Sequence, residues 1–232
     1  MIAIAIDGPA GAGKSSIARG IAQKLGYIYV DTGALYRTIG LAAKRAGTDL
    51  GDEAAVLELL RQLTVEIKFI GGEQRVFLND EDVFPLIRTA EISMMASRVS
   101  ALPPVRAFLL ELQRDLARRN NVIMDGRDIG TVVLPGAQIK LFLTASPECR
   151  AERRCRELAE KGEPANLSQV LAEIRQRDYN DSHRAIAPLR PAADAQAVDN
   201  SSWTLEQTVG RMTELIQARL DELNQPTDSE RC

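Results

Sequence analysis

The sequence predicts a three-layer α/β fold around a parallel sheet, and three observations carry that prediction. The chain opens on a wholly apolar run, Ile2 to Ile6, which suits a strand buried on both faces. A glycine-rich break and a helical pattern follow at once, with Ile17, Ile21 and Leu25 on one face and Gly26 as a stop. Short apolar runs then keep alternating with helical patterns, the rhythm of βα units. In such folds ligands belong at the carboxyl ends of the strands.

The remaining elements follow in order. Tyr27 to Val30 reads as a second strand, Ala34 to Ala46 as a helix closed near Gly47, and Asp52 as the N-cap of a helix through Leu63. The texture changes at Thr64: the β-rich runs Thr64 to Ile70 and Arg75 to Leu78 flank Gly71-Gly72-Glu73, a hairpin signal. A helix over Thr89 to Val99 completes a small α+β insertion at about residues 63 to 98. Pro103-Pro104 punctuates the chain, and Val105 to Arg119 forms a long amphipathic helix. Val122 to Met124 and Ile139 to Leu143 return to buried strands. Helices near Pro147 to Lys161 and Leu167 to Tyr179 follow, then a short strand Gln196 to Val198 and a helix Leu205 to Leu223. Met94-Met95 and the leucines of the 105 to 119 helix read as core. The polar stretch 224–232 is expected to fray, and no linker divides the chain, so residues 1–232 are read as one domain.

Composition removes several classes of function. With 45% hydrophobic and 26% charged residues the chain can build an ample core. A net charge of -3 lacks the basic footprint of a nucleic-acid binder. No apolar stretch is long enough for a membrane span, and Ile2 to Ile6 is too short for a signal peptide, so a cytoplasmic protein is expected. Cys149, Cys155 and Cys232 make neither a disulfide framework nor a Cys-x-x-Cys pair, and a single histidine, His183, excludes multi-histidine metal sites. His183 reads as a polar helix-end residue. Chemistry must then rest on Arg, Lys, Asp and backbone amides.

Gly8-Pro9-Ala10-Gly11-Ala12-Gly13-Lys14-Ser15 has two glycines spaced for an anion-wrapping loop, then Lys and Ser, between a strand and a helix. The glycines free backbone N–H groups to surround phosphates, and the helix dipole points its positive end at them. Lys14 adds a cation at the β/γ-phosphates. Ser15, with Ser16 as a neighbour of the same chemistry, supplies a hydroxyl for Mg²⁺. The motif predicts triphosphate binding but leaves the phosphoryl acceptor open.

Arginines bear on that choice. Arg37, Arg106, Arg127, Arg177 and Arg184 come from different elements, and several guanidinium forks converging on one place suit a second phosphate. Thr32 and Arg37 follow the second strand, at its ligand end, although an N-cap and a surface Arg would also account for them. Asp125-Gly126-Arg127-Asp128 ends the strand begun at Val122, where a simple turn would explain the glycine but not two carboxylates bracketing an arginine. Arg177, Asp181 and Arg184 have the spacing of one helical face, either a site or a solvated ladder. Arg150, Arg153, Arg154 and Arg156 crowd another helix just before Lys161-Gly162-Glu163-Pro164, as a solvated face or as a lid over about 150–166. No Asn-Lys-x-Asp guanine-reading motif appears, which counts against a GTPase switch.

Together the phosphate loop, Asp31-Thr32-Gly33-Ala34-Leu35-Tyr36-Arg37, Asp125-Gly126-Arg127-Asp128-Ile129-Gly130-Thr131-Val132-Val133 and Arg177-Asp178 through Leu189 resemble the bacterial cytidylate kinases, over nearly the whole chain to about residue 220. The resemblance implies a P-loop NTPase core, an NMP-binding insertion at 63–98 and a helical lid. It also implies a monomer that moves the γ-phosphoryl of ATP, with Mg²⁺, onto CMP or dCMP. It further implies that Ser97, Arg106 and Asp128 read the cytosine edge, that Arg37, Arg127 and Arg184 clamp the monophosphate, and that Arg177 and Asp181 meet the sugar. Thr32 keeps the hydroxyl of the family's usual Ser. Lys14, Arg127, Arg184 and a lid cation, Arg153, would stabilise the transfer. A carboxylate that accepts from an exocyclic amino group would be left unpaired by uracil, which gives such a site its selectivity.

Overall fold

The computed structural model describes residues 1–225. Five parallel strands form the central sheet in the order β2 (Ile28–Asp31), β6 (Val122–Gly126), β1 (Ala3–Asp7), β7 (Ile139–Thr144), β8 (Gln196–Asp199). β1 lies at its centre and every one of its residues is buried, as its unbroken apolar run requires. Its period of two divides the core. Ile4 and Ile6 face α1 (Lys14–Leu25) and α8 (Leu205–Asn224), packing with Ile17, Ile21, Met212 and Ile216. The small Ala3 and Ala5 face the other layer, where Met124, Ile129 and Val133 meet Leu110 and Leu116 of α5 (Pro103–Arg119).

A second core joins α2 (Thr32–Ala46), α3 (Glu53–Arg61), α4 (Ala90–Val99) and α5 to an antiparallel sheet of β3 (Val65–Ile70), β4 (Glu73–Leu78) and β5 (Glu81–Asp82). Gly40 of α2 lets α4 approach closely: an added Cβ would stand 3.0 Å from Met95 Cβ. The strand β5 escapes sequence reading because it is two residues long. It is made possible by Asn79 and Asp80 at φ 47° and 67°, left-handed positions that these short polar residues tolerate.

Three further expectations are corrected. Pro103 and Pro104 do not stand as a break ahead of a helix begun at Val105; they occupy the first turn of α5, where a missing N–H costs nothing. Met94 is 64% exposed, and only Met95 of that pair packs against the core. The helix α7 (Leu167–His183) ends one residue before Arg184, which is extended at φ -63°, ψ 141°, so the spacing from Arg177 is helical only as far as His183. His183 is the last residue of that helix and stacks on Tyr179 at 4.1 Å. α6 (Pro147–Glu160) packs on α7 as a helical pair. A five-residue π-helical turn, Ile129–Val133, follows β6 and has no signature in the hydrophobic pattern. Asn224 ends α8, and Cys232 with most of the expected frayed tail lies outside the described residues.

Candidate active site

The carboxyl ends of β1, β2 and β6 open into a cavity of about 200 Å³. One wall is the loop between β1 and α1. Gly8 turns away from β1 at φ 150° so close to β7 that an added Cβ would lie 1.9 Å from the Leu143 carbonyl oxygen. Gly13, left-handed at φ 87°, begins α1 with no side-chain cap and no acidic residue in the first turn. The helix therefore presents uncapped N–H groups and an uncompensated positive dipole to the loop, the condition for holding an anion. Lys14 lies beneath the loop and donates from Nζ to the Pro9 carbonyl at 2.8 Å. Burial, and then Arg127, hold its ammonium well below the usual lysine range, a charge deficit that a bound polyphosphate would relieve. Ser15 lines the cavity and its Oγ donates to Asp125 Oδ2 at 2.8 Å, whereas Ser16 is exposed.

The opposite wall is made of guanidiniums. Arg37, Arg106, Arg127, Arg177 and Arg184 all line the cavity, brought there from α2, α5, the β6 end, α7 and the residue after α7. Thr32, Ser97, Asp128 and Asp181 line it as well. Arg127 Nε donates to Asp181 Oδ2 at 3.0 Å. The Asp128 carboxylate accepts on both oxygens, from Arg106 on Oδ2 and from Arg184 Nη2 on Oδ1 at 3.1 Å. Arg37 stands 3.8 Å from Asp31. Thr32 Oγ1 donates to the Asp125 carbonyl at 2.7 Å, tying the start of α2 to the end of β6. Arg177 is the least satisfied of these side chains: its Nε is buried without a partner, and burial, reinforced by Arg127, lowers its pKa to about 10. An acceptor group entering the cavity would complete its bonds.

Sequence reasoning placed Arg153 in the site, but here its guanidinium donates to Asn200 Oδ1 at 3.2 Å and to the Asn200 carbonyl at 2.8 Å, on the loop after β8. The neighbour one turn back, Arg150, is the embedded one. It is 3% exposed and donates to the Ala10 carbonyl of the glycine loop at 3.0 Å while its two Nη atoms grip Asp178 at 2.9 and 2.5 Å. Tyr36, Gln113 and Asp31 also line the cavity and were missed as site residues. For Tyr36 a signal existed, since it adjoins Arg37 in the segment after β2, and Arg106 stacks over its ring at 5.8 Å. Gln113 gave none: a glutamine on an amphipathic helix reads as surface until α5 is seen packed against Tyr36's helix.

An uncapped helix end wrapped by a glycine loop faces an arginine cluster held by carboxylates, across a crevice roofed by helices. This arrangement defines a phosphate-loop kinase, which holds a polyphosphate donor on one side and a second anionic ligand on the other. The cytidylate kinase family model matches residues 4–218, and the chain belongs to that family. It is 49% identical to a cytidylate kinase of Lactobacillus gasseri over 219 residues, 94% of this chain and 95% of that protein. It is 50% identical to one from Caldicellulosiruptor saccharolyticus, covering 93% and 95%, and 46% identical to one from Pasteurella multocida, covering 95% and 97%. Membership was readable from the four motifs, because each is short and contiguous.

Proposed function

We propose that the chain transfers the γ-phosphoryl group of ATP to CMP or dCMP, giving ADP and CDP or dCDP, in the cavity between the glycine loop and the arginine wall. The observation that carries the reading is the Asp128 carboxylate held at the cavity by Arg106 and Arg184, across from the uncapped start of α1. ATP phosphates lie on Gly8, Pro9, Ala10, Gly11, Ala12, Gly13, Lys14, Ser15 and Ser16. Arg37, Arg127 and Arg184 hold the acceptor phosphate, Thr32 supports their wall, and Arg177 and Asp181 meet the sugar. Ser97, Arg106 and Asp128 meet the cytosine edge, where the carboxylate accepts from the amino group.

The oxygen pair Ser15 Oγ and Asp125 Oδ2 at the mouth of the loop fits Mg²⁺, which takes hard oxygen ligands and keeps several waters. When bound, Mg²⁺ supplies charge neutralisation on the phosphate oxygens. The chain does the rest. Lys14 follows the charge that develops on the moving phosphoryl group, and the arginine wall fixes the acceptor phosphate in line with it. A phosphate oxygen is already ionised near neutral pH, so no general base is needed. Arg153 joins only through a swing of the lid, about residues 150–166 and including most of α6, that exchanges its bonds to Asn200 for phosphate. The insertion at 63–98 carries Ser97 and closes over the acceptor.

The net charge of -3 supports small nucleotides rather than nucleic acid as partners. Among the described residues no helix is long and apolar enough to cross a membrane, and we take the cytoplasm, where ATP and nucleoside monophosphates meet, as its location. We take the working form as a monomer, which sedimentation would test. The function is tested by ADP release with Mg·ATP and CMP, dCMP, UMP, AMP or GMP, beside a control without acceptor. Turnover with CMP and dCMP well above the rest is expected; equal ADP release without acceptor would make the protein an ATPase.

A further inference from the structure

The π-helical turn Ile129–Val133 begins directly after Asp128, so Asp128 stands where a helix-capping residue stands. Aspartate is a favoured cap, and its side chain would normally turn back onto the first N–H groups. Here it makes no such bond, because both its oxygens are given to Arg106 and Arg184. The N–H groups are satisfied from elsewhere. Ile129 N–H donates to Asp7 Oδ1 at 2.8 Å and Gly130 N–H to Asp7 Oδ2 at 2.7 Å, across more than a hundred residues of sequence. Asp7 is 4% exposed, is the last residue of β1, and directly precedes Gly8 of the phosphate loop.

We propose that Asp7 is a positioning residue for acceptor recognition: it caps the 129–133 turn in place of Asp128, so that the Asp128 carboxylate stays with Arg106 and Arg184 and keeps its remaining lone pairs for the cytosine amino group. Resting on the kinase reading above, this explains why a carboxylate is buried at the root of the glycine loop yet touches none of its amides. The turn is closely fitted around this bond. An added Cβ at Gly126 would lie 2.6 Å from Ile129 Cδ1 and 2.9 Å from Thr32 Oγ1, and one at Gly130 would lie 3.4 Å from Asp7 Oδ2. Without Asp7, two buried N–H groups lose their acceptor, and the carboxylate at the cap position of the turn is that of Asp128 itself. The cap and the base-reading group then compete for one carboxylate.

Asp7→Asn keeps the shape but offers a single acceptor oxygen, with an N–H₂ group facing the other amide. In the ADP-release assay this variant is expected to raise the KM for CMP roughly ten- to a hundredfold and to shrink the CMP-over-UMP preference by a similar factor. The KM for ATP should stay within about twofold. A merely structural aspartate would lower the melting temperature without separating the two substrates. Equal changes in both KM values, or an unchanged CMP-over-UMP preference, would overturn the proposal. Should the Asn protein not fold, Asp7→Ser carries the same comparison, and failure of both to fold would make Asp7 a core determinant and overturn it too. Wild-type protein without CMP-dependent transfer would refute the kinase reading instead, a result distinct from either.

Discussion

The two walls of the cavity solve the same problem, holding phosphate, by opposite means. The loop side uses backbone: Gly8, Gly11 and Gly13 take conformations that side chains resist, and the uncapped start of α1 supplies the charge. The arginine side uses side chains brought from different elements and aimed by carboxylates, Arg127 by Asp181 and Arg106 and Arg184 by Asp128, with Arg177 left to a ligand. The phosphate-holding groups of a backbone site come from consecutive residues, here Gly8 to Ser15, whatever distant contacts hold the loop in place. A side-chain site needs the whole fold, and it can select its ligand because guanidinium and carboxylate have direction.

The comparison is broken most severely at Lys14. Lys14→Ala should lower kcat by about a thousandfold or more, since it removes charge from the moving phosphoryl group, while the melting temperature holds or rises because a buried ammonium is gone. Single-turnover kinetics with saturating CMP checks it. Near-normal turnover would move catalysis to the other wall.

The acceptor wall should fail differently. Asp128→Asn is expected to raise the KM for CMP by about a hundredfold and to leave the KM for ATP nearly unchanged, because Arg106 and Arg184 lose the charge that aligns them. Stability should drop as well, for the variant leaves two largely buried guanidiniums without a counter-charge. Calorimetric titration with each nucleotide separates these effects.

This asymmetry also explains what could be read without coordinates. The loop, the strand rhythm and the capping residues Gly26 and Asp52 are local, and the structure has them as the sequence predicts. The arginines were found because several guanidiniums spread over different elements suit one shared phosphate. What sequence could not supply is orientation. Arg150 and Arg153 share one helix and one residue type, yet Arg150 grips the glycine loop and Arg153 turns to Asn200. Three residues along a helix is nearly a full turn, and only packing decides which neighbour faces inward. Likewise the Asp7 bonds to Ile129 and Gly130 join segments 122 residues or more apart, beyond any local pattern.

Arg150 spans both walls, which makes it the sharper test of their independence. It ties the Ala10 carbonyl to Asp178, the residue beside Arg177 on α7. Arg150→Lys keeps the charge but cannot make the bidentate grip. Both KM values should then rise together, by about tenfold each, in contrast to the loss of kcat at Lys14 and the one-sided rise in KM at Asp128. A rise for ATP alone would mean that α7 is held by other contacts and that the two walls are assembled separately.

The smallest expected effect concerns Asp125, which stands between the walls. Its carboxylate accepts from Ser15 Oγ, yet burial first and Asp31 second push its pKa up to about 6. The folded protein therefore binds a proton more readily there than the unfolded chain, whose carboxylate titrates near 3.8. Between those values the contribution to stability falls as pH rises, and above about 6 the cost of the buried charge is fully present. An Asp125→Asn protein carries no such cost. Its melting temperature relative to wild type should thus climb by about 2 to 4 °C between pH 5 and pH 7.5, corresponding to roughly 1 kcal/mol. Scanning calorimetry on the two nucleotide-free proteins checks the sign. A difference that stays flat across that window would mean that Ser15 and the neighbouring cations already hold Asp125 ionised, and that the mouth of the loop is charged before any nucleotide arrives.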